Sequence, residues 1–275
     1  MQMKNTDKIA ISILLVTYNN EKQIDKLLNS IFHSHFDGGL EVLIWDNDSK
    51  DHTKEKVLKY KTKVDYTFSK NNMGFGRAVN KLIEKSKGES FLLLNPDCIL
   101  RKNTLSKLFE FLIEKNNNAV VCPKLINPDG KAQASVFRLP TITNAIRRYF
   151  FADKNAYGKY LPGAGTSQVE VAVMAAMLIP RAVITKIGSL DERFFLYYED
   201  IEFCKRLKDH RIKLYYYPSA VVVHEHGASG KFVSHHDSPL LKSSYIYHGV
   251  FYAKALHLVL RLGQAWEKRV LQKFS

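Results

Sequence analysis

At 275 residues the chain has the length of one large domain, since a single core stops growing at roughly 250–300 residues; 45% hydrophobic and 25% charged residues exclude disorder as the main state. Three widely spaced cysteines, Cys98, Cys122 and Cys204, exclude a disulfide framework and a cysteine zinc knuckle. A formal charge of +14, from 41 Lys+Arg against 27 Asp+Glu, leaves nucleic acid, an anionic bilayer and a phosphorylated small molecule open as partners.

Residues 9–17 (IAISILLVT) are a nearly continuous apolar run rich in β-branched side chains, the pattern of a parallel strand buried on both faces. Residues 21–32 place Ile24, Leu27, Leu28 and Ile31 at helical spacing, and residues 40–45 (LEVLIW) return to strand character. The alternation then predicts helices over 53–60, 75–85 and 104–114, interleaved with strands over 64–68, 91–94 and 120–125. Repeated βα units of this length specify an α/β fold, a Rossmann-like, mostly parallel sheet with helices on both faces. Residues 128–168 carry Pro140, Gly158, Pro162, Gly163 and Gly165 and read as irregular, with a candidate lid over 158–167. A strand over 169–179, helices over 182–187 and 200–208, and strands over 213–217 and 221–223 follow.

The segment 245–274 reads as one basic amphipathic helix, with Lys254, His257, Arg261 and Lys268 on one face and Leu256, Val259, Leu260, Trp266, Val270 and Phe274 on the other. Residues 242–275 hold six Lys/Arg against one Glu, a net of +5. Such a helix can lie in the interface of an anionic bilayer or pack on the core with a solvated basic face. No apolar run reaches the roughly 18 residues of a membrane span, and residues 1–10 show no cleavable leader, so neither secretion nor spanning is expected.

In open parallel sheets, ligands bind at the carboxyl ends of strands. Three such ends are polar here: Thr17-Tyr18-Asn19-Asn20, Asp46-Asn47-Asp48-Ser49 and Asn95-Pro96-Asp97. Each alone could be turn chemistry or a helix cap; all three on one rim suggest a nucleotide diphosphate site, with an Asp offering oxygen to Mg²⁺ or Mn²⁺. The loop Asn71-Asn72-Met73-Gly74-Phe75-Gly76 opens the helix that carries Asn80, but lacks the third glycine of a dinucleotide fingerprint. Downstream, the aromatics before Glu199-Asp200 would shield these carboxylates from water and raise their proton affinity, which suits a general base; helix capping is the competing reading. His224-Glu225-His226 closes the last strand, and its two histidines could share a metal or form a surface pair.

Taken in order, ISILLVTYNN, EVLIWDNDSKD, NNMGFGRAVN, FLLLNPDCIL, GSLDERFFLYYEDIEFCKRL and AVVVHEHGAS, spanning about residues 9–229, resemble the family 2 inverting glycosyltransferases of the GT-A fold, in particular the rhamnosyltransferase-like branch that builds bacterial surface polysaccharides such as O-antigen and capsule. The resemblance implies a nucleotide-sugar-binding half over 1–127, an acceptor and catalytic half over 128–240, and an appended basic helix over 241–275. It implies that Thr17, Asn19 and Asp46 line the nucleotide pocket, that Asn72, Gly74 and Asn80 flank base and ribose, and that Asn95 stands on the nucleotide side where the family's metal motif has its first acid. Asp97 matches the last acid of that motif, His224, in preference to His226, the later histidine at metal or diphosphate, and Asp200 the catalytic base. The implied cofactor is Mg²⁺ or Mn²⁺. The implied partners are a nucleotide-sugar donor, dTDP-rhamnose being favoured, a glycan or lipid-linked glycan acceptor, and an anionic membrane surface. The implied location is cytoplasmic, peripheral at the inner face of the cytoplasmic membrane. One departure concerns the acceptor: Ala175-Ala176 stands where the family has a Gly-Ala pair. Nucleic-acid binding is not expected, because no groove-reading motif or continuous basic stripe is present; a nucleotidyltransferase would need a glycine-rich loop after the first strand.

Overall fold

The computed structural model describes residues 8–225 and 239–273, the side chains of 270–273 excepted. The first half alternates as the periodicity predicts. Strands β1 (Ile9–Thr17), β2 (Gly39–Asp46), β3 (Asp65–Phe68) and β4 (Ser90–Leu94) are separated by helices α1 (Ile24–Phe32), α2 (Thr53–Leu58) and α3 (Phe75–Lys85). A short strand β5 (Cys98–Leu100), helix α4 (Thr104–Glu114) and β6 (Ala119–Ile126) follow. The second half holds β7 (Val136–Phe137), α5 (Ile142–Phe150), β8 (Ser167–Val169), β9 (Val171–Ala172), β10 (Ala176–Pro180), α6 (Arg181–Ile187), α7 (Glu199–Asp209) and β11 (Lys213–His224). It closes with α8 (Pro239–His248) and α9 (Val250–Lys273).

The main sheet runs β3-β2-β1-β4-β10-β6-β11-β5, with β8 on β11. β3, β2, β1 and β4 are parallel to one another; β10 is antiparallel to both its neighbours. β11 returns parallel to β6 and antiparallel to β5 and β8. Side chains alternate between the faces: Leu14, Phe91 and Leu93 join one core, while Ile13, Leu15, Leu92 and Leu94 join the other. Both faces are therefore covered, as continuous apolar strands require. Helix α1 shows how, burying Ile24, Leu27, Leu28 and Ile31 along one stripe.

Four expectations are corrected. Residues 128–168 contain a helix, α5, capped by Thr141, whose side chain accepts from the Asn144 N–H. The strand expected over 169–179 is broken into β9 and β10. The strands expected over 213–217 and 221–223 are one strand, β11, with a register shift between Tyr217 and Val221. The single terminal helix is two, parted at Gly249, whose φ of 76° belongs to the left-handed region glycine adopts freely. Helix α8 begins before residue 241 and donates from Ser243 Oγ to the Leu196 carbonyl at 2.9 Å. Helix α9 packs on α5, with an Arg148–Glu267 ion pair at 3.0 Å and Gly263 set against the Tyr149 ring.

Candidate active site

Because β1, β2 and β4 are parallel, Thr17, Asp46 and Asn95 leave the sheet on one rim. Hydrogen bonds then chain the loops of that rim together. Asn47 N–H donates to the Thr17 carbonyl at 2.8 Å, Asn47 Nδ2 to the Gly74 carbonyl at 3.1 Å, and Phe75 N–H to the Phe195 carbonyl at 3.0 Å. Asn95 N–H donates to the Ala175 carbonyl at 2.9 Å, tying the turn over 95–97 to the head of β10. The aromatic loop preceding α7 thus borders the same rim as the strand ends.

Asp46 is fully buried; its Oδ1 accepts from the Ser49 N–H at 2.8 Å and its Oδ2 from the Tyr66 hydroxyl at 2.9 Å. Burial and the Asp46 charge push the Tyr66 hydroxyl far above its usual range, so it stays a donor. Asn19, at φ 55°, accepts from the Lys50 N–H at 2.8 Å, while its own N–H donates to Ser49 Oγ at 2.9 Å. Thr17 Oγ1 is buried without a hydrogen-bond partner. Asn72 accepts from the Gly74 N–H at 3.0 Å. Gly74 has φ 86°, and a Cβ there would meet the Phe195 carbonyl oxygen at 2.5 Å, so the position admits only glycine without a backbone shift.

Asn80 is reassigned by its bonds. Its Nδ2 donates to the Leu190 carbonyl and to Glu192 Oε1, and its Oδ1 accepts from the Leu190 N–H, at 2.9–3.0 Å. Both amide hydrogens are spent on holding the 190–192 turn against α3, which makes Asn80 a brace for that turn and leaves no donor for a ribose.

The register of β5 on β11 sets His224 opposite Cys98 and hence beside Asp97. His224 Nε2 lies 3.4 Å from Asp97 Oδ1, and both side chains are buried. His224 Nδ1 lies 2.7 Å from Gln133 Oε1, and Gln133 Nε2 donates to Asn127 Oδ1 at 2.9 Å. His224 Nε2 faces Asp97 Oδ1 across a contact that is an ion pair when the imidazole is protonated. A carboxylate oxygen and an imidazole nitrogen so close together are also donor types that a divalent cation takes. Among the described residues, Asp97, Cys98 and His224 form the one group of this kind, with ligand atoms within 4.8 Å of one another. Cys98 is the weakest of the three: burial and the Asp97 charge keep its thiol protonated, and Sγ donates to the Ala175 carbonyl at 3.2 Å. The donor set fits a divalent ion with one carboxylate and one imidazole from the chain, leaving positions for other ligands. His226 lies outside the described residues.

Asp200 stands in the first turn of α7, and α7 packs on β9. Loss of hydration raises the proton affinity of Asp200, against the opposing pull of the Ile201 N–H, which donates to Oδ1 at 2.8 Å, and of the Lys159 charge. Glu199, buried with Oε2 unpartnered, is raised by burial first and by Asp200 second. Burial raises both carboxylates, while of the aromatics before them Phe194 and Tyr198 are buried and Phe195 and Tyr197 are exposed. Tyr197 and Tyr198 enter the helix at φ 69° and 71°, and the Tyr198 ring packs against Tyr247 and His248 of α8. Sequence reasoning missed Gln133 and Lys159, which both come from the stretch read as irregular; Lys159 falls within the candidate lid.

The fold is that of GalNAc-T7 in its crystal structure with UDP, GalNAc and Mn²⁺, at a TM-score of 0.67 and 16% identity over 88% of this chain and 48% of that one. In sequence, the chain is 29% identical over 210 residues to the low-salt glycan biosynthesis hexosyltransferase Agl10 of Haloferax volcanii, covering 74% of this chain and 63% of the relative. It is 24% identical over 288 residues to the N-acetylglucosaminyl-diphospho-decaprenol L-rhamnosyltransferase of Mycobacterium tuberculosis, covering 96% and 94% of the two. The chain therefore spans about two thirds of the haloarchaeal relative and nearly all of the mycobacterial one. The sequence profile of Glycosyl transferase family 2 matches residues 12–168, the stretch that supplies the polar strand ends, the Gly74 loop, Asp97 and the His224 partner Gln133, and to that family the chain belongs.

Proposed function

We propose that the chain is an inverting glycosyltransferase that moves a sugar, with dTDP-rhamnose the favoured donor, onto a glycan carried on a polyprenyl diphosphate, at the inner face of the cytoplasmic membrane, in bacterial surface polysaccharide assembly. The observation that carries this reading is the rim itself: a buried Asp97–His224 pair at one place and an Asp200 carboxylate of raised proton affinity at the head of α7. The mycobacterial relative, named for L-rhamnose transfer to a decaprenyl-diphosphate-linked sugar, supports the sugar and acceptor class. The UDP and Mn²⁺ of the GalNAc-T7 structure support a nucleotide donor with a divalent ion.

Asp97 and His224 would hold Mg²⁺ or Mn²⁺, and an imidazole beside a carboxylate favours Mn²⁺. When bound, that ion supplies positive charge to the departing diphosphate. Thr17, Asn19, Asp46, Asn72, Gly74 and Asn95 shape the nucleotide side. Asp200 takes the acceptor hydroxyl's proton as that oxygen attacks the anomeric carbon opposite the leaving group, inverting the centre in one displacement. Lys159 keeps Asp200 ionised enough to act, while burial keeps it basic.

A donor panel followed by thermal shift, with and without Mn²⁺, tests the reading, since a ligand that binds only the folded chain raises its stability by mass action. The largest shift is expected for dTDP-rhamnose with Mn²⁺, with turnover onto a polyprenyl-diphosphate-linked glycan. A larger shift with a UDP- or GDP-sugar would replace the donor, and no shift with any nucleotide sugar would remove the reading.

A further inference from the structure

Helix α9 has three sectors at 100° per residue. The inward one carries Ala253, Leu256 and Gly263, all buried against α5 and the core. The opposite one carries Phe251, Leu258, Leu262 and Trp266, which are 91%, 58%, 56% and 55% exposed and lie within a strip about 80° wide. Lys254, Arg261 and Lys268, all exposed, form a row along one edge of that strip. This differs from the two faces expected from sequence: Leu256 is buried while Trp266 is exposed, so the apolar residues divide between an inner seam and an outer ridge. Helix α5, alongside, adds exposed Phe150 and the residue after it, Phe151.

We propose that the outer ridge of α9 seats on an anionic bilayer, the helix lying in the plane of the interface with its ridge among the acyl chains and Lys254, Arg261 and Lys268 among the lipid phosphates. Trp266 suits the headgroup boundary. No described helix is long and apolar enough to cross a membrane, so the ridge lies on the surface. A second copy of the chain fits less well. An antiparallel twofold pairing through the ridge sets the cation row of one copy beside that of the other, in a chain already at +14, whereas anionic lipid meets the row with opposite charge. The proposal rests on this surface alone, without donor or acceptor, so it and the transferase reading can fail separately.

The test mixes the full chain with vesicles of phosphatidylglycerol and, separately, of phosphatidylcholine. Co-sedimentation with the anionic vesicles, reversed by salt, is expected, together with a blue shift of Trp266 emission. Trp45, the other of two tryptophans, is already buried and stays silent. Leu258→Ser/Leu262→Ser changes exposed positions, keeps the fold by circular dichroism, and lowers partitioning at least about tenfold. Lys254→Gln/Arg261→Gln lowers it by about tenfold or more. Equal behaviour with both lipids, no binding to either, or wild-type partitioning of the ridge variant would overturn the proposal. Self-association that the ridge variant abolishes, without vesicle binding, would give the face to a second copy instead.

Discussion

The two sides of the sheet rim are held in different ways. At the ends of parallel β1 and β2, polar side chains are tied into one another: Asp46 to Ser49 and Tyr66, Asn19 to Lys50, Asp51 to the N–H groups of Glu21 and Thr53. Thr17 Oγ1 and Trp45 Nε1 are exceptions. Beyond β4, where the sheet becomes mixed, Asp97 Oδ1 and Glu199 Oε2 are buried without donors, and two consecutive tyrosines are left-handed. A satisfied network rigidifies, whereas each unsatisfied buried group costs about 1–3 kcal/mol. The parallel side is mostly tied in place, and the mixed side holds the buried acidic oxygens without a hydrogen-bond partner.

The sharpest way to break this contrast is Asp200→Asn. Turnover should fall by about two to four orders of magnitude, the usual worth of a general base, with nucleotide affinity unchanged. A carboxylate whose proton affinity is raised in the fold subtracts stability as pH rises through its shifted value. The Asn variant should therefore melt at or above wild type at pH 8 and lose that advantage in acid, while wild-type turnover declines as pH falls into the raised range. A variant that melts lower at pH 8 would show Asp200 to be structural.

Next in size, Asp97→Asn should weaken Mn²⁺ binding, followed by electron paramagnetic resonance, by at least about a hundredfold, whereas Asp46→Asn should leave it unchanged. Gln133→Ala should cost about ten- to a hundredfold in Mn²⁺ affinity, the usual worth of a residue orienting a metal-bound imidazole. Wild-type affinity would remove Gln133 from that role. The smallest effect belongs to the tied side. Tyr66→Phe deletes one bond to Asp46 and should cost about 1–3 kcal/mol of stability by urea unfolding, leaving metal affinity intact.

The same contrast explains what could be read in advance. Helices α1, α3 and α4 and strands β1, β2 and β4 were legible because each buries a clean stripe or a continuous apolar run. Helix α5 was not, since it buries only Ala145 and hides among prolines, glycines and aromatics. Asp97, His224 and Asp200 were visible as residues at element ends. That Asp97 and His224 meet depends on the β5–β11 register, and the placing of the imidazole depends on Gln133, a contact across 91 residues that no local pattern encodes. The engagement of Asn80 was hidden for a related reason: its partners, 110 and 112 residues away, use the amide that spacing alone left free.

Tyr197 and Tyr198 bear on how such chains diversify. Left-handed tyrosines are unfavourable by roughly 1–2 kcal/mol each, and α8 supplies neighbours that keep them so, through Ser243 at Leu196 and Tyr247 and His248 at Tyr198. A terminal segment exchanged between homologues would bring along its own setting of the loop that leads into Asp200. Recombination at this boundary would therefore be filtered by how well the new segment holds that loop.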